Sequence, residues 1–105
     1  MLQPDVTSAG GLTSARRAAE IGDAAGIATY PHVFGSAVAL AASLQLLATL
    51  PGSPRLEFDR TPNPIREDLA ADPIRNEGTE VPVPDGPGLG IEIDGGTLER
   101  FRTDR

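Results

Sequence analysis

The chain has 105 residues and a formal charge of −6, with one histidine, no cysteine and arginine as its only basic residue besides that histidine. That length fits one small domain or part of a larger one. No disulfide framework, thiolate metal site or multi-histidine metal site can be built from it. The acidic balance argues against nucleic acid or an anionic membrane surface as partner. An acidic, lysine-free composition fits either a GC-rich genome or a high-salt cytoplasm.

In chain order, residues 1–6 read as the end of a strand whose beginning is missing. They have neither the basic region nor the apolar region of a signal peptide, and the expected location is cytoplasmic. The turn Ala9-Gly10-Gly11 follows, with Thr13 as the expected N-cap of a helix over 15–25. Ala15, Ala18, Ala19, Gly22 and Ala25 fall on one face, small enough for a helix to lie close against a sheet. Gly26 is placed to stop that helix in the left-handed region. Residues 27–30 form the next short strand, and Pro31-His32 follows it.

Gly35 and Ser36 open a second helix over 37–50, closed by Pro51-Gly52. The apolar run from Val33 to Leu50 is barely long enough to span a bilayer. Gly35, Ser43 and Gln45 interrupt it and no positive charge flanks it, so it reads as a buried helix covered on more than one side. Arg55-Leu56-Glu57-Phe58-Asp59 alternates as a third strand. Strand, helix, strand, helix, strand with short loops predicts an α/β fold with a parallel sheet and right-handed crossovers.

From Thr61 the pattern breaks at Thr61-Pro62-Asn63-Pro64 and Asp72-Pro73, with a short helical turn over 65–70. Short strands at Val81-Pro82-Val83 and Ile91-Glu92-Ile93 flank the turn-rich Pro84-Asp85-Gly86-Pro87-Gly88-Leu89-Gly90. No helix pattern or Gly-Lys-Ser/Thr follows these glycines, so a structural turn is read rather than a phosphate loop. Three strands and two helices cannot close a sheet. Bare strand edges and a partly exposed second helix are expected, and the sequence reads as a piece of something larger.

On this reading Asp5 and His32 each end a strand, one βα unit apart. Adjacent parallel strands lie about 4.8 Å apart, within reach of a carboxylate–imidazole bond. Such a bond fixes the tautomer and raises the basicity of the other ring nitrogen, making His32 a proton acceptor. Glu57 ends the third strand and would face the same mouth. The alternative is that Asp5 caps a turn and His32 is an ordinary loop histidine.

Gln3-Pro4-Asp5-Val6-Thr7 with Gly10-Gly11, then Pro31-His32, Leu56-Glu57 and Val83-Pro84-Asp85-Gly86-Pro87-Gly88-Leu89-Gly90-Ile91 together resemble the C-terminal region of the enolase superfamily. More narrowly, they resemble the mandelate racemase subgroup, which includes acid-sugar dehydratases. Leu56-Glu57-Phe58-Asp59-Arg60-Thr61 with Asn63-Pro64 is most similar to members acting on galactarate-type lactones.

The resemblance implies the last three βα units of a TIM-type barrel over 1–60, and an extension over 61–105 that joins a capping domain. His32 would move a proton α to a carboxylate, Asp5 would orient it, and Glu57 would hydrogen-bond the substrate carboxylate. It also implies Mg²⁺, whose carboxylate ligands lie outside this chain, as does the family's Lys-x-Lys base. The implied partners are an acid-sugar substrate, the missing N-terminal part of the enzyme and, for the complete enzyme, further copies of itself. This chain alone is then expected to be inactive. A non-catalytic binding protein that reuses the barrel fragment is the second reading.

Overall fold

The computed structural model describes residues 1–52 and 54–104, with helices α1 (Gly11–Ala24), α2 (Ala37–Leu47), α3 (Pro64–Glu67) and α4 (Gly95–Arg100). α1 begins earlier than the expected Thr13 cap. Its N-cap is Gly10, at φ 85°, because the turn closed by Ala9 N–H on the Asp5 carbonyl feeds straight into the helix through Gly11 N–H on Val6 O. At the other end Gly26 takes φ 70°, Gly26 N–H bonds Asp23 O, and Ile27 N–H bonds Gly22 O. That pair of bonds is a Schellman cap, and it turns the chain sharply into the next extended segment.

Ala15, Ala19 and Gly22 are buried along α1, as the small-residue face requires, whereas Ala25 is exposed. Gly22 is needed for close approach. A Cβ there would lie 2.6 Å from Leu2 Cδ1 and 3.1 Å from the Ile27 carbonyl oxygen. The opposite face is solvated and carries the Arg16–Glu20 pair at 3.0 Å.

Ser36 caps α2 by accepting from Ala39 N–H, and every residue of the helix except Val38 and Gln45 is buried. Such all-round burial requires cover on several sides. α1 and the N-terminal segment supply one side through Val6 and Ala15 against Ala42 and Leu46, with Leu50 and Leu89 beside them. Val33, Leu40 and Leu44 form a second cluster, covered by Leu56, Phe58, Ile74 and Val81. Ala37 meets Leu69 and Ala70, with Ile91 packed against them. The second helix is therefore less exposed than the sequence led us to expect, because residues 69–91 fold back over it. Each buried leucine contributes roughly 1.5–3 kcal/mol.

The Gly-rich 84–90 turn is part of this cover. Gln45, which interrupts the apolar run, donates through Nε2 to the carbonyls of Pro84 at 2.7 Å and Leu89 at 3.3 Å.

The alternation of extended segments and helices is that of an α/β protein, but among the described residues the three expected strands do not form a sheet. Residues 1–6 and 27–30 meet in a single parallel bridge between Leu2 and Thr29, made by Leu2 N–H to Ala28 O and Tyr30 N–H to Leu2 O, each at 2.9 Å. Pro4, two residues beyond the bridge, lacks the N–H that would extend the ladder to the Tyr30 carbonyl.

Residues 55–59 are extended without a bridging partner among the described residues. They keep the predicted alternation, with Leu56 and Phe58 on the core. Ile93 bridges Ala70 in antiparallel fashion, and α4, capped by Asp94 on Thr97 N–H at 2.6 Å, follows. No helix among the described residues is long and apolar enough to cross a membrane.

Candidate active site

Pro31 is fully buried and Val33 is 5 % exposed, while the His32 side chain between them is 48 % exposed. In an extended segment successive side chains alternate, so two buried neighbours turn the imidazole outward. The bridge at Thr29 fixes the segment just upstream, and the packing of Val33 on Leu40 and Leu44 fixes it just downstream.

The third extended segment brings Glu57 to the same place. His32 Nδ1 and Glu57 Oε2 are 2.7 Å apart. An ionised carboxylate only accepts, so in this bond Nδ1 carries the proton and Nε2 of the neutral ring is left with the free lone pair. The His32 pKa is raised above 6.5, first by the hydrogen bond to Glu57 and with help from the charges of Glu57, Asp5 and Asp59, against an opposing effect of burial that is second in size only to the hydrogen bond. The arrangement is that of a carboxylate-held imidazole with one nitrogen free to exchange a proton.

Asp5 is placed differently from the expected dyad. Its Oδ1 accepts from Thr7 N–H at 2.8 Å and Thr7 Oγ1–H at 2.6 Å, and its carbonyl closes the turn with Ser8 and Ala9. Asp5 therefore caps a turn and acts on His32 through its charge, and the carboxylate bonded to the imidazole is Glu57. The Asp-x-Thr spacing is itself a turn signature and explains why the side chain is held locally.

Behind Glu57 lies a group that sequence reading did not single out as functional. Arg66 is 7 % exposed, and Nη1 bonds Asp59 Oδ2 at 2.7 Å. Its Nη2 bonds Thr61 O at 2.5 Å and Glu67 Oε1 at 3.1 Å. Burying a guanidinium is costly unless it is paired, and these three acceptors meet that need. The Asp59 carboxyl is held below its ordinary 3.8, chiefly by the Thr61 backbone N–H, then by the Thr61 hydroxyl and by Arg66.

Asn63 caps α3 and also donates through Nδ2 to the carbonyl of Gly35 at 2.8 Å. The signal available in the sequence was Asn63-Pro64, an N-cap followed by proline at the first helical position.

The Mg²⁺ implied by the resemblance does not fit this chain by itself. Among the described residues no group of three or more His, Asp or Glu side chains is gathered so as to hold a metal ion.

The α/β framework thus presents a carboxylate-held histidine from an extended segment. Residues 1–97 match the family described as enolase C-terminal domain-like, and the chain belongs to that family. It is 39% identical over 110 aligned positions to D-galactarolactone cycloisomerase of Agrobacterium fabrum, covering 97% of this chain and 29% of that protein. To D-gluconate dehydratase of Thermoproteus tenax it is 33% identical over 106 positions, covering 99% of this chain and 21% of that one. A mandelate racemase-like protein of Bordetella bronchiseptica RB50, solved in complex with 2-oxoglutarate/phosphate, superposes with a TM-score of 0.91 at 35% identity, covering 99% of this chain and 28% of that one. The chain thus spans less than a third of each of these relatives, at their C-terminal part.

Proposed function

We propose that this chain is the C-terminal part of an enolase-superfamily enzyme that removes or returns a proton α to the carboxylate of an acid sugar, as a dehydratase, racemase or cycloisomerase. The observation that carries the reading is the 2.7 Å bond between His32 Nδ1 and Glu57 Oε2, which leaves Nε2 as the proton-transfer atom. The names of the relatives support the substrate class, since two of them act on a sugar lactone or a sugar acid and a third was solved with 2-oxoglutarate. Residues 1–60 would be the last three βα units of a TIM-type barrel, and residues 61–105 the extension toward a capping domain.

In the proposed step the substrate's α-proton passes to Nε2 of His32, and the electron pair it leaves is delocalised into the adjacent carboxylate. Glu57 holds the imidazolium that forms, and Asp5 and Asp59 add negative charge beside it. The ene-diolate side needs positive charge to be stabilised. The described residues offer no metal group for that purpose, so it falls to the rest of the enzyme.

The test is complementation. This chain is combined with the part of the Agrobacterium fabrum relative that lies outside the match, and α-proton exchange of a galactarolactone is followed in D₂O with Mg²⁺. Exchange is expected in the combined enzyme, none with this chain alone, and none when the combined enzyme carries His32→Ala. Exchange that survives His32→Ala, or a well-folded combined enzyme that never exchanges, would refute the reading.

A further inference from the structure

We propose that Asn63 is a positioning residue for the His32–Glu57 pair, its side-chain amide tying the loop that carries His32 to the segment that carries Glu57. The inference deepens the reading of His32 as a proton-transfer group and rests on it for its functional meaning. It stands on four observations.

First, among the described residues no backbone–backbone hydrogen bond joins residues 30–36 to residues 54–63. The hydrogen bonds between the two segments are side-chain ones, His32 to Glu57 and Asn63 to Gly35, beside the packing of Leu56 and Phe58 on the cluster that holds Val33. Second, the His32–Glu57 pair is about half exposed on both sides. An exposed pair is weakened by water and by the entropy of holding two side chains, so it cannot fix the geometry that it needs.

Third, Asn63 is itself fixed. Its Oδ1 accepts from Ile65 N–H at 3.1 Å and Arg66 N–H at 3.3 Å, and its own N–H donates to Glu67 Oε1. Those two donors require the amide oxygen, so the amide nitrogen must face the Gly35 carbonyl. Gly35 sits at φ 137°, a conformation that favours glycine and sets the direction of that carbonyl.

Fourth, the segment behind Glu57 is anchored independently. Asp59, two residues on, is bound to buried Arg66, which also holds Thr61 and Glu67. The result is a closed circuit from His32 to Glu57, Asp59, Arg66, Asn63, Gly35 and back. Opening it at Asn63 removes the one hydrogen bond that supports the His32–Glu57 pair between these segments and leaves apolar packing to set their spacing, while Arg66 still holds the Asp59 side.

His32 is the only histidine, so its imidazole is a single reporter in the full chain. The charged groups acting on it are Glu57, Asp5 and Asp59. The experiment follows the ring by ¹⁵N and ¹H NMR in the wild type, Asn63→Ser, Asn63→Ala, Glu57→Gln and the Asn63→Ser/Glu57→Gln double variant. Serine keeps an N-cap oxygen but lacks the amide that reaches Gly35.

Asn63→Ser is expected to lower the His32 titration midpoint in the same direction as Glu57→Gln and by about half or more of that shift, with the double variant moving no further. It is also expected to reduce the Nδ1–H tautomer while thermal stability stays close to that of the wild type. Asn63→Ala should give the same His32 shift together with lower stability from the lost cap.

A wild-type midpoint and tautomer in Asn63→Ser would overturn the proposal, and so would additive shifts in the double variant. An unfolded Asn63→Ser chain would make Asn63 a structural residue and overturn it as well. A moved midpoint alongside exchange that survives His32→Ala in the combined enzyme would sink the functional reading and leave the positioning role standing.

Discussion

Replacing Glu57 by glutamine removes the charge 2.7 Å from His32 Nδ1 and leaves a side chain of the same shape. Two unit charges at that distance attract by about 1.5 kcal/mol in a medium with the dielectric constant of bulk water. Both partners are about half exposed, so side-chain entropy and salt reduce the value to that of a surface pair, about 0.2–1 kcal/mol.

The sign follows from the raised His32 pKa. The folded state holds the imidazole proton more tightly than the unfolded state does, whose value is near 6.5. The stabilisation is therefore fully present below the unfolded value and is lost as pH rises through the folded one. Urea unfolding at pH 5.5 and pH 8.5 in low salt measures it, with the difference between wild type and Glu57→Gln at each pH isolating the pair.

The wild type should exceed the variant by about 0.2–1 kcal/mol at pH 5.5, and the excess should shrink at pH 8.5 and in high salt. Asp59, Asp94 and Asp104 titrate below their ordinary 3.8, so what they contribute is lost only as the solution becomes more acidic than this window. An excess that grows toward pH 8.5, or none at pH 5.5, would refute the pairing.

Leu40 is 1 % exposed between Val33 and Leu44, and Leu40→Ala should cost about 2–5 kcal/mol in urea unfolding; a loss below about 1 kcal/mol would show that the cluster behind His32 collapses freely. Ser43 is equally buried, and its hydroxyl has no hydrogen-bond partner among the described residues. Ser43→Ala should therefore raise stability by about 0.5–1.5 kcal/mol, through a better helix former and one fewer desolvated hydroxyl, and a fall in the unfolding midpoint would count against this account.

What could be read from the sequence divides along the range of the forces involved. α1 and α2 were legible because their signals are local. The small-residue face ending at Gly26 and the Ser36 cap before an apolar run lie within the elements they define. The bridge at Leu2 and Thr29 was legible as a place but not as an extent, since pairing ends where Pro4 removes a donor. Cover of α2 by residues 69–91 was not legible, because it depends on Gln45 reaching two carbonyls far along the chain. α4 was hidden by Asp94-Gly95-Gly96, which reads as a turn because each glycine costs about 1 kcal/mol in a helix. The Asp94 carboxylate on Thr97 N–H offsets part of that cost.

At the site, His32 was legible as the proposed proton carrier because it has no competitor among the histidines, but its partner was not. Asp5 and Glu57 are both acids at the ends of extended segments, and which one takes the imidazole is decided by what else each can bind. Asp5 has Thr7 two residues on, offering both an N–H and an O–H. Glu57 makes no such local bond and is left for His32.

That choice constrains the chemistry in turn. An ionised Glu57 can only accept, and it accepts Nδ1–H; a protonated Glu57 could still accept Nδ1–H on its carbonyl oxygen while its O–H donates to a substrate carboxylate. In the arrangement seen, Glu57 holds His32 through Oε2, and Asp5 keeps Thr7 through Oδ1 alone. The holding role of Glu57 and its proposed role toward a substrate carboxylate are therefore compatible only when Glu57 carries a proton, and neither requires Asp5 to release Thr7.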